Sequence, residues 1–345
     1  MKRILIMVQC LWLSFHCTAQ DEDFDFSQFQ AADNTKIKVY CNNKVVNLSP
    51  TKLISLSYDL VMPFDLKVKE TSPENTIPIT DRTTAVAPNH GLRFNSNFPV
   101  ISTNKFILNA SIGYWESRYE VEKPNNLPFA KMLGQSALRT TTAGFTIFKP
   151  LNEKNFLIFQ GEAALNGNYN FGDISPEFGK MKYSAAFLYG WKFNDNTNFA
   201  IGATRTYRGG AVLHIPILMY NKTFNQKWGI EALLPARGAV RYNFSTKSLL
   251  MFGYELEGQS YYMQPTNLEN ARWNPNRFEL QKSEIRPRIS WDKSITDFIW
   301  FNIQAGVRVN YRFELVEKAG DPKPLIKHDI GLPFYFNVGL SFVSP

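Results

Sequence analysis

Hydrophobic and polar residues alternate most clearly between Phe298 and Phe313, where the sequence reads FIWFNIQAGVRVNYRF. Every second residue from Ile299 onwards is apolar or aromatic, and the residues between them are mostly polar. A period of two is typical of a β-strand whose two faces meet different surroundings. At about 3.3 Å per residue this stretch spans roughly 50 Å, well beyond an ordinary strand. The pattern predicts one long strand in a wall between lipid and a polar interior.

The same alternation recurs along the chain and predicts a series of strands joined by two kinds of connection. Short polar turns, such as 152–155 and 194–197, alternate with longer loops, such as 166–181. Outer-membrane barrels show this asymmetry, with the short turns in the periplasm. With both termini in the periplasm the count is about 14 strands, or 12 if the weak early strands stay out of the wall. The predicted strands are 53–62, 91–100, 106–115, 138–148, 156–165, 182–193, 198–207, 212–220, 227–234, 238–244, 248–257, 278–291, 298–313 and 332–343.

The first residues of the chain read as an export signal. Met1–Ala19 has a basic start, a short apolar stretch and a plausible cleavage site after Ala19. The apolar stretch is shorter than the roughly 20 residues that a membrane-spanning helix needs. We predict a signal peptide over 1–19, a flexible periplasmic segment over 20–52 and a barrel over 53–345. Removal of the signal peptide leaves Cys41 as the one remaining cysteine, which excludes an intramolecular disulfide.

Composition supports a membrane barrel over a helical membrane protein. Aromatic residues make up 14% of the chain, with 28 phenylalanines, yet the mean hydropathy is −0.26. The sequence after the signal has no run of 18 apolar residues, so no membrane-spanning helix is predicted. The net charge of +8 falls to +6 when Lys2 and Arg3 leave with the signal, a mild surplus that would suit contact with anionic lipids. Together these features predict an all-β, antiparallel, up-and-down transmembrane β-barrel in a bacterial outer membrane. A secreted soluble sandwich or propeller is the competing fold class.

Strand parity assigns a set of charged residues to the barrel interior. A basic side chain facing lipid at mid-membrane costs about 2–4 kcal/mol, so charges opposite the apolar face should point into the lumen. Both signs are present, which favours an internal network of ion pairs over a selective constriction. The predicted lumen residues are Glu162, Glu231, Arg241, Glu255, Glu284, Arg286, Arg288, Arg308 and Arg312.

Three stretches carry a resemblance to a known family. They are NKFILNASIGYW, GIEALLPARGAVRYNF with LLMFGYELEG after it, and RPRISWDKSITDFIWFNIQAGVRVNYRF. The block from Phe106 to Phe342 resembles an uncharacterised family of outer-membrane β-barrels from Bacteroidota-type bacteria, classed as a domain of unknown function. The resemblance implies a barrel fold and an outer-membrane location. It supplies no activity and no catalytic residues.

The first functional hypothesis is a non-enzymatic outer-membrane barrel, either a narrow channel for uptake of a small solute or a structural barrel. Its expected partners are outer-membrane lipids, lipopolysaccharide, the barrel assembly machinery and a small solute. No nucleic-acid partner, cofactor or metal site is indicated.

The alternatives are a surface-binding barrel and a lipid-modifying enzyme. The first would bind glycans through loops 258–277 and 314–331, whose aromatic residues could equally form the girdle at the membrane interface. The second would need a nucleophile beside a base. The histidines after the signal are His90, His214 and His328, and His214 is predicted to face the lumen, where it could not act on lipid. We therefore predict no enzymatic activity. Candidate glycan-binding residues are Tyr261, Tyr262, Arg272 and Trp273.

Overall fold

The computed structural model describes residues 40–42, 44–73, 82–122, 128–169, 181–208, 211–263, 278–317 and 323–344. They contain eighteen strands and one helix. No helix within these ranges is long and apolar enough to cross a membrane. The elements are β1 (Lys52–Val61), β2 (Phe64–Thr71), β3 (Thr83–Val86), β4 (Asn89–Thr103), β5 (Phe106–Ser117), α1 (Pro128–Gln135), β6 (Leu138–Pro150), β7 (Asn155–Gly167), β8 (Lys182–Asn194), β9 (Thr197–Arg208), β10 (Ala211–Thr223), β11 (Trp228–Leu234), β12 (Arg237–Ser245), β13 (Ser248–Met263), β14 (Phe278–Ser294), β15 (Ile299–Val307), β16 (Val309–Val316), β17 (Ile326–Asp329) and β18 (Phe334–Val343).

Fourteen of these strands close into an antiparallel ring. β4 to β14 pair in chain order, β15 joins β14 to β18, and β1 closes the ring between β18 and β4. Closure gives every wall strand a partner on both sides, the arrangement that lets a sheet face lipid. The predicted all-β, antiparallel barrel of 14 strands is therefore confirmed, and the 12-strand alternative is wrong.

The two faces of the wall differ in polarity as the period of two predicted. In β18 the outward residues Phe334, Phe336 and Val338 are 45–60% exposed, whereas Asn337 and Ser341 point inward and are buried. Apolar side chains stand on the outer face of the other wall strands as well. The wall is thus an apolar belt around a polar interior. We call its end with the short connections the turn end.

At the opposite end the polarity of the strands inverts. β2 continues β1 beyond Met62–Pro63, but it buries Leu66 and Val68 and exposes Lys67 and Lys69. β17 stands in the same relation to β18 and pairs with β2. We call this layer, formed by β2, β3, β16, β17 and α1, the crown. Its pattern is that of a water-soluble sheet packed on an apolar core.

The crown encloses the largest apolar core among the described residues. The helix α1 contributes Phe129, Met132 and Leu133, all at most 1% exposed, and the surrounding strands contribute Leu280 and Phe313. Burial of a side chain of this size stabilises a protein by about 1.5–3 kcal/mol. The crown therefore has an apolar core of its own above the polar lumen.

One hairpin of the wall extends less far towards the crown than the strands on either side of it. The hairpin of β11 and β12 ends at Leu234–Arg237, whereas β10 and β13 extend further towards the crown. Pairing of β10 with β11 begins at Leu218, so 211–217 pair only with β9 in the described part of the chain. Above the hairpin, β13 crosses to β7, where the Asn168 N–H donates to the Tyr262 carbonyl over 3.2 Å. A gap therefore lies between β10 and β13 above the hairpin.

The prediction of one uninterrupted strand over 298–313 is wrong. The stretch forms β15 and β16 with a break at Arg308, whose N–H donates to the Pro333 carbonyl over 2.9 Å. β14 pairs with β15 along one half and with β16 along the other, with a register shift after Ser283. The change of course carries Phe313, predicted to face outward, into the crown core at 1% exposure. The alternation continues through the break, which is why periodicity does not reveal it.

Candidate functional site

A buried ion-pair network fills part of the lumen where β15 and β16 part. At its centre is Glu284, which is fully buried. The guanidinium of Arg308 donates to both carboxylate oxygens over 2.9–3.2 Å, and Arg286 Nε donates to Oε1 over 2.5 Å. The ammonium of Lys282 lies 3.5 Å from Oε2. A carboxylate buried in this way is stable only when basic groups surround it.

The network continues across the lumen to β1 and β4. Arg286 binds Glu257 over 2.5 Å, and Glu257 in turn accepts from Arg93 over 3.0 Å. Arg93 also binds Asp59, which accepts a further hydrogen bond of 2.7 Å from Asn337. Opposite charges thus alternate from β14 to β1. Each charged group thus has an oppositely charged partner, and the ion pairs connect β14, β13, β4 and β1.

A separate pair lies nearer the turn end. Arg241 has no exposed surface and binds Glu231 over 2.6 Å, and its second nitrogen donates to the Thr223 hydroxyl over 2.8 Å. Gly229 makes room for this guanidinium, because a Cβ there would lie 2.5 Å from Arg241 Nη2. Glycine is therefore required at this position by close approach of a neighbour.

The structure places the nine predicted lumen residues in one network, two separate pairs and two further positions. Glu284, Arg286 and Arg308 share one network; Glu231 pairs with Arg241, and Glu255 with Arg288. Arg312 lies on β16, where it contacts Glu314 at 3.5 Å and Gln281 at 3.4 Å. Glu162 lies on β7 and faces open space in the lumen.

Sequence reasoning missed several members of the network. Asp59 and Arg93 lie opposite outward apolar residues of β1 and β4, so the same parity argument would have found them. Glu257 lies two residues beyond Glu255 on β13 and is the last residue of the strand predicted over 248–257. Lys282 lies within a predicted strand, but its neighbours depend on how β14 pairs with the crown strand β16, which the sequence pattern does not show.

The segment Tyr40–Thr51 runs across the turn end of the barrel, and we call it the strap. Cys41 N–H donates to the Asn152 carbonyl over 3.0 Å, and Val46 N–H donates to the Asp195 carbonyl over 2.9 Å. Ser49 binds Glu231 through its N–H over 2.9 Å and through its hydroxyl over 2.5 Å. The strap belongs to the predicted flexible segment 20–52. Residues 20–39 of that segment, and the predicted signal peptide over 1–19, lie outside the described residues. Its hydrogen bonds link three wall hairpins.

Two large cavities open into the lumen, and both border β10, β11, β13 and β14. One, of about 560 Å³, is at the turn end, between the strap and the inner faces of β11 to β15. The other, of about 580 Å³, lies at the gap above the β11–β12 hairpin, and we call it the lateral groove. Its inner wall is formed by β7 to β10, its floor by Leu233 and Pro235, and its opposite wall by β13, β14 and β16. A small cavity of about 240 Å³ also borders Glu162 and Lys182.

The residues proposed for the two alternative functions take other positions. His214 was predicted to face the lumen, but it stands exposed on the outer face of β10 and pairs across the strand with Arg205, so that prediction is wrong. Tyr261 is 2% exposed in the crown core and cannot serve as a surface glycan contact. Arg272 and Trp273 lie outside the described residues. Among the described residues no group of three His, Cys, Asp or Glu side chains could hold a metal ion.

The family model described as a domain of unknown function (DUF6268) matches residues 101–343, well over half of the chain. The protein belongs to this family. The DUF6268 region begins near the end of β4 and closes with β18, so it holds the wall from β5 onwards. The predicted resemblance over Phe106–Phe342 is confirmed at the level of this family. No curated protein matches the chain.

Several solved structures resemble the DUF6268 barrel. The COG4313 outer membrane channel from Pseudomonas putida F1 is 13% identical, with 86% of this chain and 97% of that chain covered and a TM-score of 0.39. A Pseudomonas aeruginosa FadL homologue is 10% identical, with 85% and 90% covered and a TM-score of 0.39. The P. putida toluene transporter TodX is 9% identical, with 86% and 90% covered and a TM-score of 0.34. The barrel is defined by this chain's own strand pairing, and these likenesses add nothing to it.

Proposed function

We propose that this protein is a non-enzymatic channel of the bacterial outer membrane, with a narrow and strongly charged lumen. The observation that carries the proposal is the combination of a closed ring of strands with apolar side chains outside and ion pairs inside. An apolar belt of this kind is costly in water and favourable in lipid. The inversion of polarity in the crown marks the level at which the lipid ends.

The contents of the lumen support a narrow route. The Glu284 network and the crown core occupy the lumen beside β14, β1 and β4, and the strap crosses the turn end. Open space remains beside β7 to β10 and beneath the strap, where the two large cavities lie. A solute would therefore pass along this side of the barrel, past Glu162 and then Glu231.

The orientation follows the usual asymmetry of outer-membrane barrels, with the turn end in the periplasm and the crown outside the cell. A signal peptide cleaved near Ala19 would deliver the chain, and the barrel assembly machinery would insert it. Outer-membrane lipids and lipopolysaccharide would contact the apolar belt and the basic residues at its upper edge, such as Arg205. An origin in Bacteroidota-type bacteria is part of the same proposal.

Single-channel recording in a planar bilayer tests the channel. The refolded protein should migrate differently before and after heating and should then give discrete conductance steps that change with salt. Insertion without conductance would contradict the channel and leave a plugged or structural barrel. A soluble monomer that never inserts would contradict the membrane location as well.

A surface-binding role is the second candidate, and the crown is the observation in its favour. The crown is a folded, polar-surfaced unit that displays Lys67, Lys69 and Lys327. Glycan binding by the refolded protein in the absence of conductance would favour this role over a channel.

A further inference from the structure

The lateral groove differs from the rest of the lumen in its chemistry. Its inner wall carries Leu213, Ile215 and Ile217 from β10, and its floor carries Leu233. Across the groove stand Leu256 and the other side chains of β13, β14 and β16 that line it. A cavity of about 580 Å³ with mainly apolar walls has the size and character of sites that enclose small organic molecules, about 300–1,000 Å³.

Glu162 is the acidic residue on this lining, and it is the exception among the inward carboxylates. Glu231, Glu255 and Glu284 each have an arginine partner, and Glu279 binds Lys182 over 2.8 Å. Within the residues that the structure describes, the Glu162 carboxylate has no hydrogen-bond or ion-pair partner. A cation that reaches a carboxylate without a counter-ion in such an interior stabilises it.

The mouth of the groove lies at the upper edge of the apolar belt. Ile201 belongs to the apolar belt on β9. Four residues further towards the crown, Arg205 and its cross-strand partner His214 are exposed on the outer face. The edge of β10 over 211–217 is unpaired towards β13 in the described chain. A molecule lying in the outer leaflet with its head group at the interface would thus meet the opening at the level of its own polar end.

We propose that the lateral groove binds a small amphiphile with an apolar body and a protonated amine, which Glu162 receives as its counter-ion. The ligand class rests on the proposed outer-membrane setting, and it specifies what the channel admits. Leu213, Ile215, Leu233 and Leu256 enclose the apolar body. Arg312, the basic residue of the lining, is already held by Glu314 and Gln281, so it does not neutralise Glu162 from across the groove.

Charge excludes the two obvious competitors. An amphiphile with a carboxylate head would place a second negative charge beside Glu162 in a region of low dielectric, where like charges repel strongly. An amphiphile with a hydroxyl head could donate one hydrogen bond but would leave the charge of Glu162 uncompensated. The structure therefore favours the amine over an alcohol and over an acid of the same chain length.

Binding of three matched probes tests this proposal. Radiolabelled n-octylamine, n-octanol and n-octanoate are titrated at neutral pH into the protein in phosphatidylcholine nanodiscs, with protein-free nanodiscs as the blank. We expect saturable binding of one octylamine per barrel, at least about tenfold tighter than octanol, and no saturable binding of octanoate. Equal affinities for octylamine and octanol, or preferential binding of octanoate, would overturn the proposal.

Substitutions then locate the site. Glu162→Gln keeps the shape of the side chain and should reduce octylamine affinity to that of octanol, whereas Glu153→Gln in the exposed β6–β7 turn should change neither. Ala186→Phe adds bulk inside the groove and should abolish binding of both probes. Ala163→Phe adds the same bulk on the outer face of β7 and should leave binding of both probes unchanged. An amine preference that survives Glu162→Gln would overturn the assignment of Glu162.

The two proposals fail separately. Heat-modifiable mobility of every variant confirms that the barrel is folded before binding is measured. Tight amine binding without conductance would contradict the channel and retain the groove. Conductance without amine preference would retain the channel and contradict the groove.

Discussion

The crown strands β2 and β17 continue the wall strands β1 and β18, yet the wall and the crown bury opposite kinds of side chain. Along β1 and β18 apolar residues such as Leu56 and Val338 face outward and polar ones face in. Beyond Met62–Pro63 the continuation of β1 buries Leu66 and exposes Lys67. The wall is therefore held by surrounding lipid and internal ion pairs, and the crown by an ordinary apolar core. The comparison teaches that an alternating pattern fits a strand that faces lipid as well as one that faces water. The break at Met62–Pro63 is where the outward face changes from apolar to polar.

The largest expected effect comes from the centre of the wall's ion network. Glu284→Leu removes the carboxylate shared by Arg286, Arg308 and Lys282; Arg286 keeps Glu257, but the buried Arg308 and Lys282 lose their carboxylate partner. Breaking a buried network costs about 3–5 kcal/mol. Urea unfolding of the protein in detergent should show this loss. The surface substitution Asp297→Asn, which removes an exposed pair with Lys247, is the control and should stay within about 0.5 kcal/mol.

A charge on the outer face should separate wall from crown most directly. Val338→Arg places a cation at mid-wall and should cost about 2–4 kcal/mol in a bilayer. The crown equivalent, Thr83→Arg at the start of β3, is exposed opposite Lys67 and should be nearly neutral. Unfolding in liposomes measures both. Equal costs for the two variants would contradict the placement of the membrane boundary between β1 and β2.

The crown should respond to acid in a way that the wall does not. His328 is buried beside Phe129, with ring centroids 4.5 Å apart, and burial lowers its pKa from 6.5 to about 4. Because the folded pKa is depressed, its contribution to stability is complete above about pH 6.5 and is lost as pH falls towards 4. Between pH 6.5 and about pH 5 the loss is roughly 2 kcal/mol. Amide hydrogen exchange of β17 and α1 should accelerate over this range.

A matched variant isolates the histidine. His328→Phe has no titrating group and should flatten the pH dependence of exchange in the crown, while exchange in β5 to β10 stays as in the wild type. An unchanged acid response in this variant would contradict the role of His328.

The smallest expected effect concerns the strap. Ser49→Ala removes the 2.5 Å hydrogen bond to Glu231, which keeps its partner Arg241, so the cost should be about 1 kcal/mol and local. Faster exchange at 41–49 and a larger conductance are expected, with Ser245→Ala in the β12–β13 turn as the control. Unaltered exchange across 41–49 would mean that other contacts hold the strap.

The period of two predicted the wall because lipid and lumen act on every second residue. Each of the fourteen predicted strands overlaps a wall strand. The crown was missed for physical reasons. β3 and β17 are four residues long and α1 has eight, and β2 lies in a polar stretch that hides its alternation. Partners such as Glu284 and Arg308 are 24 residues apart in sequence and meet only through strand register. The parity of a residue in its strand predicts which face its side chain points to. The side chains that it contacts depend on how the strands pair when the barrel closes.

The inversion at Met62–Pro63 also acts as a depth gauge. If the barrel sank by two residues, about 6.6 Å, Asp65 and Lys67 would enter hydrocarbon. If it rose by the same amount, outward side chains beside the crown, such as Phe334 and Phe336, would leave it. The penalty in both directions holds the molecule at one height. The chain thus encodes, in its own sequence, the level at which one face of the membrane meets the barrel.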